Sequence, residues 1–91
     1  MTVFSELIID IATDLNRGGF VKEAIDLQQL AKSALDETML AGSRKAALKQ
    51  IEMRCHVKWL GDFYLPDLSQ KNWWGKLEKL SRITKKYAQS I

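Results

Sequence analysis

The sequence predicts an all-α fold, a single domain over residues 1–91 with four helices and an irregular apolar segment that crosses the bundle before the last helix. Three observations predict it. Apolar residues recur at spacings of three and four in four separate segments, the signature of helices with one buried face. One Pro and five Gly in 91 residues suit helices better than a turn-rich β fold. A strand within residues 56–66 would need a partner strand, and no other segment looks like one.

The first helix is expected to start at a Thr2 cap and run to about Asn16. Phe4, Leu7, Ile8, Ile11 and Leu15 form its buried stripe. Glu6, Asp10 and Asp14 lie along one exposed edge at i, i+4 and i+8, with no Lys or Arg before Arg17 to offset them. Like charges at that spacing cost a helix a few tenths of a kcal/mol per pair. Asn16-Arg17-Gly18-Gly19 ends the helix, because Gly accepts a left-handed C-cap. A turn this short predicts an antiparallel hairpin with a second helix over residues 20–40. Phe20, Ala24, Leu27, Ala31, Ala34 and Leu35 give that helix its stripe, and Val21, Ile25 and Leu30 widen it. Gly42 then breaks the pattern and Ser43 caps a third helix over residues 43–55. Ala47, Leu48, Ile51 and Cys55 face inward, and Arg44, Lys45, Lys49 and Arg54 face out.

Residues 56–66 form the irregular part. Gly61-Asp62 is a turn signal, and Leu65 before Pro66 is expected to be extended. Phe63-Tyr64-Leu65 is too apolar for a solvated loop and is expected to pack on the bundle. The fourth helix follows within residues 67–91. Trp73, Leu77, Leu80, Thr84, Tyr87 and Ile91 recur at spacings of 4, 3, 4, 3 and 4. Asp67 with Gln70 makes a capping box at its start, and Ser69 is a second candidate cap.

A chain of this length buries roughly 60–65% of its unfolded surface, enough for one modest core. A hydrophobic content of 46% argues against disorder. The longest apolar runs have three residues, which excludes a transmembrane helix, and Glu6 and Asp10 argue against a signal peptide. The single Cys55 excludes an internal disulfide and fits a reducing cytoplasm. Net charge is +3 but uneven: residues 1–40 carry −4, residues 41–68 carry +2 and residues 69–91 carry +5.

Motifs for catalysis are missing. Cys55-His56 is the one adjacent pair of metal-ligand types, and a metal site needs further ligands at defined spacing. The reading adopted is a buried thiol beside a helix-end imidazole. No phosphate loop, nucleotide fingerprint or nucleophile elbow occurs, so no enzyme activity, cofactor or metal is expected. A solvent-lined pocket in which Cys55 and His56 meet an acid would overturn that expectation.

Recognition residues are easier to name. Trp59, Trp73 and Trp74 stand out, and two adjacent Trp on a helix cannot both face the core. Trp73 continues the stripe. Trp74 either packs under the Trp59–Pro66 crossing or anchors a partner, since Trp is enriched among interface hot spots. The acids Glu6, Asp10 and Asp14 either pair with the basic fourth helix or steer the chain onto a basic partner. These acids with Trp59, Tyr64 and Trp74 are the candidate partner-binding set. Lys76, Lys79, Arg82 and Lys86 are the candidate set for nucleic-acid binding. That second reading is weakened by the scarcity of Arg and by the long gap between the third and fourth helices.

The helical hairpin through Asn16-Arg17-Gly18-Gly19 and the Ala41-Gly42-Ser43 break into residues 45–53 resemble the layout of small all-helical bacterial immunity and antitoxin-type proteins. The resemblance covers about the first sixty residues; residues 55–62, CHVKWLGD, have no counterpart in it. It implies a cytoplasmic protein that inhibits by binding a toxin or effector. No functional residue carries over. A homodimer is a third arrangement consistent with the chain.

Overall fold

The computed structural model describes residues 2–56, 59, 60, 63–65 and 68–91. It contains α1 (Thr2–Arg17), α2 (Val21–Leu35), α3 (Ala41–Arg54) and α4 (Gln70–Gln89), with no strand among the described residues. Each helix packs on the next, and α4 closes on α1. Side-chain contacts fix the directions. Lys76 near the start of α4 reaches Asp10 and Asp14, while Tyr87 near its end meets Phe4, with ring centroids 5.5 Å apart. Arg54 at the end of α3 pairs with Asp26 in α2, and Arg44 at its start donates to the Ala34 carbonyl (2.9 Å) and the Tyr87 hydroxyl (2.9 Å). Neighbouring helices therefore run antiparallel around a ring. The Cα radius of gyration, 12.6 Å, is close to the roughly 12 Å expected of a packed domain this long.

The core is the sum of the four stripes. Phe4, Leu7, Ile8, Ile11 and Leu15 are all buried, as are Ala24, Leu27, Ala31 and Ala34, then Ala47, Leu48, Ile51 and Cys55. On α4, Trp73, Leu77, Leu80 and Thr84 are buried, and Tyr87 and Ile91 lie at its margin. Thr84 satisfies its hydroxyl by donating to the Leu80 carbonyl (2.6 Å), one turn back. The small Ala side chains of α2 let its neighbours come close. Val21 and Ile25 do not widen the α2 stripe: both are about half exposed, because the helix turns them off the ring.

Helix ends depart from expectation most at the α2–α3 connection; elsewhere they differ by about one residue, and Thr2, expected as a cap, is the first residue of α1. The second helix stops at Leu35, short of residue 40. There the Asp36 carboxylate accepts from the Thr38 amide (3.0 Å) and hydroxyl (2.6 Å), a local turn that competes with the helix. The third helix begins at Ala41, so Gly42 and Ser43 lie inside its first turn and extended Leu40 takes the cap position without a side-chain bond. Arg44 and Arg54 face α4 and α2 as well as solvent. At α4 the cap is Ser69, whose hydroxyl accepts from the Asn72 amide (3.2 Å). Asp67 of the alternative capping box, the Gly61-Asp62 turn, Pro66 and the Thr2 side chain lie outside the described residues.

The segment before α4 packs on the bundle at three points. The indole Nε1–H of Trp73 donates to the Leu60 carbonyl (2.7 Å) inside the core. Leu60 and Leu65 are buried, and Phe63 stacks on Phe20 at 4.4 Å. Gly18 makes room for this: a Cβ there would stand 2.7 Å from the Leu65 Cδ2 atom. Gly19 takes the left-handed conformation, φ +87°, that ends the α1 turn.

Candidate functional site

Trp74 follows buried Trp73 by one residue, a rotation of roughly 100° about the helix. That rotation carries its ring off the core and onto the seam between α3 and α4, where it remains 47% exposed. The seam opens into a groove of about 430 Å³ lined by Glu52, Cys55, His56, Trp74, Leu77, Glu78 and Ser81. Trp74 and Glu78 stand one turn apart on α4. Glu52 and His56 stand four residues apart on the other wall. Among the described residues, neither Glu52 nor Glu78 has an ion-pair partner.

The groove thus brings Cys55 and His56 together with acids on one open surface, which meets the condition for overturning the non-catalytic expectation. Its electrostatics run against a nucleophile. Burial, reinforced by the negative charge of Glu52, pushes the Cys55 thiol up to about 12. A catalytic cysteine needs the opposite, a positive environment that favours thiolate. Neither the Cys55 thiol nor the Ser81 hydroxyl has a hydrogen-bonded base among the described residues. No group of three or more His, Cys, Asp or Glu side chains among those residues is disposed to hold a metal ion.

The other candidate residues are dispersed. Trp59 is 44% exposed, with the Arg54 guanidinium 5.0 Å from its ring centre, so Arg54 joins Trp59 to Asp26. Tyr64, expected to pack on the bundle with Phe63 and Leu65, is instead 75% exposed, because the non-helical backbone between them turns it to the opposite side. Across the α1–α4 seam, the Lys76 ammonium donates to Asp14 (2.6 Å) and pairs with Asp10 (3.1 Å). Desolvation opposes the charge on Lys76, but the hydrogen bonds and charges of Asp14 and Asp10 prevail and raise its pKa. One lysine from the basic candidate set therefore engages two acids from the acidic set. Glu6 stays exposed beside a shallow groove it shares with Val3, Leu7, Asp10 and Lys79. Lys79, Arg82 and Lys86 surround Ile83 in a second groove of about 390 Å³.

Glu52 and Glu78 were not among the residues singled out from sequence. A signal existed for Glu78: it is the one acid on the basic fourth helix and sits one turn from Trp74. Glu52 carried none, since its place depends on how α3 is rotated against α4. No helix among the described residues is long and apolar enough to cross a membrane. In comparisons with known proteins, no family model, no curated protein and no solved structure matches the chain.

Proposed function

We propose that this chain is a small protein-binding module, of the bacterial immunity or inhibitor type, that blocks a partner by occupying its functional surface. The observation that carries the reading is half-exposed Trp74 on the α3–α4 groove, which Glu52, Glu78 and Leu77 also line. Large aromatics at the edge of a pocket are the usual anchors of protein interfaces. The groove's one thiol is held protonated, which favours binding over chemistry. Glu6 remains available to steer association, whereas Asp10 and Asp14 serve the fold through Lys76.

The test begins with a partner captured on the tagged chain from native lysate and identified by mass spectrometry. Trp74→Ala should weaken its binding roughly 30-fold, the equivalent of about 2 kcal/mol for a hot-spot aromatic. Tyr64→Ala and Glu6→Ala should have smaller effects. Unchanged affinity in Trp74→Ala would remove the groove from the interface. The replacement of Glu6, Asp10 and Asp14 together is a poorer test, because it also unlatches Lys76.

A second reading, a nucleic-acid-associated regulator, draws on the Lys79, Arg82 and Lys86 groove. Phosphate-driven binding falls steeply with salt, so retention on DNA or heparin at about 0.15 M salt separates the two. Sedimentation separates a monomeric inhibitor from a homodimer.

A further inference from the structure

We infer that the α3–α4 groove accepts a cationic side chain, arginine in preference to lysine, from a segment of the protein partner. The guanidinium would lie over the Trp74 ring and hydrogen-bond to Glu52 and Glu78. This inference rests on the protein-binding reading and names the chemistry of the partner at that site.

The argument starts from charge. The chain as a whole carries +3, yet this groove has two carboxylates with no ion-pair partner among the described residues. Both line the same groove as half-exposed Trp74, so a cation entering it meets an indole and two carboxylates. Cation–π attraction is strongest at Trp, and it grows when the pair is partly shielded from water. Arginine suits the geometry better than lysine. Its planar fork can stack on a ring while its edge donates to carboxylates, and its weaker hydration lowers the cost of entry.

The chain also uses this chemistry within itself. Arg54 lies over the Trp59 ring at 5.0 Å and donates to the Asp26 carboxylate. Arg44 lies 6.0 Å from the centre of Tyr87 and donates to its hydroxyl and to the Ala34 carbonyl. Both intramolecular sites combine an arginine, an aromatic ring and an oxygen acceptor. The groove presents the ring and the acceptors on its surface, and its volume of about 430 Å³ admits a side chain with part of its backbone.

The experiment uses capped tripeptides, acetyl-Gly-X-Gly-amide, with X arginine, lysine, norleucine or glutamate. Binding is read from the indole N–H resonance of Trp74 in the ¹⁵N-labelled full chain, assigned by its loss in Trp74→Phe. The arginine peptide should give a saturable shift, lysine a weaker one, and norleucine and glutamate none. The double variant Glu52→Gln/Glu78→Gln should bind the arginine peptide about tenfold more weakly, since it loses two charge-assisted acceptors. Its other resonances should stay in place, because neither side chain is buried. Equal binding of norleucine and arginine, or unchanged affinity in the double variant, overturns the cationic assignment and leaves the docking reading standing. A silent Trp74 resonance with every peptide overturns the assignment too, and partner binding by Trp74→Ala then decides the docking reading separately. A Trp74 shift that follows protein concentration alone, and vanishes in Lys79→Ala/Arg82→Ala/Lys86→Ala, makes a second copy of the chain the occupant and also overturns it.

Discussion

Trp73 and Trp74 have the same chemistry and opposite surroundings, and one step of helix rotation is the whole cause. Trp73 is fully buried and spends its single polar group on the Leu60 carbonyl, which ties the irregular segment to the core. Trp74 keeps half its surface in solvent beside Cys55. The state of that cysteine decides between a binding groove and a reactive one. Its pKa rises from an ordinary 9.0 to about 12, first through burial and then through Glu52. Iodoacetamide should therefore alkylate the native chain slowly at neutral pH, with a pH–rate midpoint far above 9. The urea-unfolded chain should react with the ordinary midpoint. The sign for stability follows. The folded thiol holds its proton more tightly than the unfolded one, so stability falls as pH rises from about 9 toward 12. The slope approaches about 1.4 kcal/mol per pH unit, and Cys55→Ala should remove it. A native midpoint at or below 9 would make thiolate available and reopen the catalytic reading.

At the scale of the helix, legibility depended on how strongly each stripe was written. The α1 and α4 stripes are long and regular, and every α1 position read as inward is buried. The α2–α3 connection was misplaced at both ends for related reasons. Asp36 and Thr38 form a side-chain turn worth little in any propensity count, yet sufficient to stop α2. Ser43 looked like a cap, but a cap is worth only about 1 kcal/mol. Starting α3 earlier is compatible with the bonds of Arg44 to Ala34 and Tyr87, and partners so distant in sequence leave no local trace. The two glycines read as punctuation should now differ in sign. Gly42 lies within α3 with open space around it, so Gly42→Ala should stabilise the fold by several tenths of a kcal/mol, up to about 1. Gly19 holds φ +87°, where a side chain is strained whatever the room, so Gly19→Ala should cost about 1–2 kcal/mol. Urea melts of the two variants check both. A destabilised Gly42→Ala would contradict the α3 boundary.

Over the whole molecule, the sequence supplied the four helices but not their rotations about their own axes. Hence the acid-to-base pairing of α1 with α4 could be named as one of two outcomes, while the α3–α4 groove could not be named at all. The ring closes where α4, after a connection of fifteen residues, returns to α1. Lys76 is the polar clasp at that seam. Its side chain is 28% exposed, Asp14 only 15% and Asp10 49%, so the Asp14 contact is the better shielded and the shorter. Lys76→Gln should destabilise the fold by about 1–2 kcal/mol, beyond what an exposed pair gives, because it leaves Asp14 without its cation. Asp14→Asn should cost more than Asp10→Asn. In a double-mutant cycle, Lys76 should couple more strongly to Asp14 than to Asp10. The raised pKa of Lys76 sets the pH window. Its contribution is complete below the ordinary 10.5 and is lost as pH rises through the higher folded value. The stability gap between wild type and Lys76→Gln should therefore stay level from pH 7 to about 10 and close above 10.5. Comparing the two chains cancels the Cys55 slope, which both share. A gap that is absent at pH 7, or that persists unchanged past pH 11, would show that the ring closes on apolar burial alone, returning Asp10 and Asp14 to the surface available for recognition.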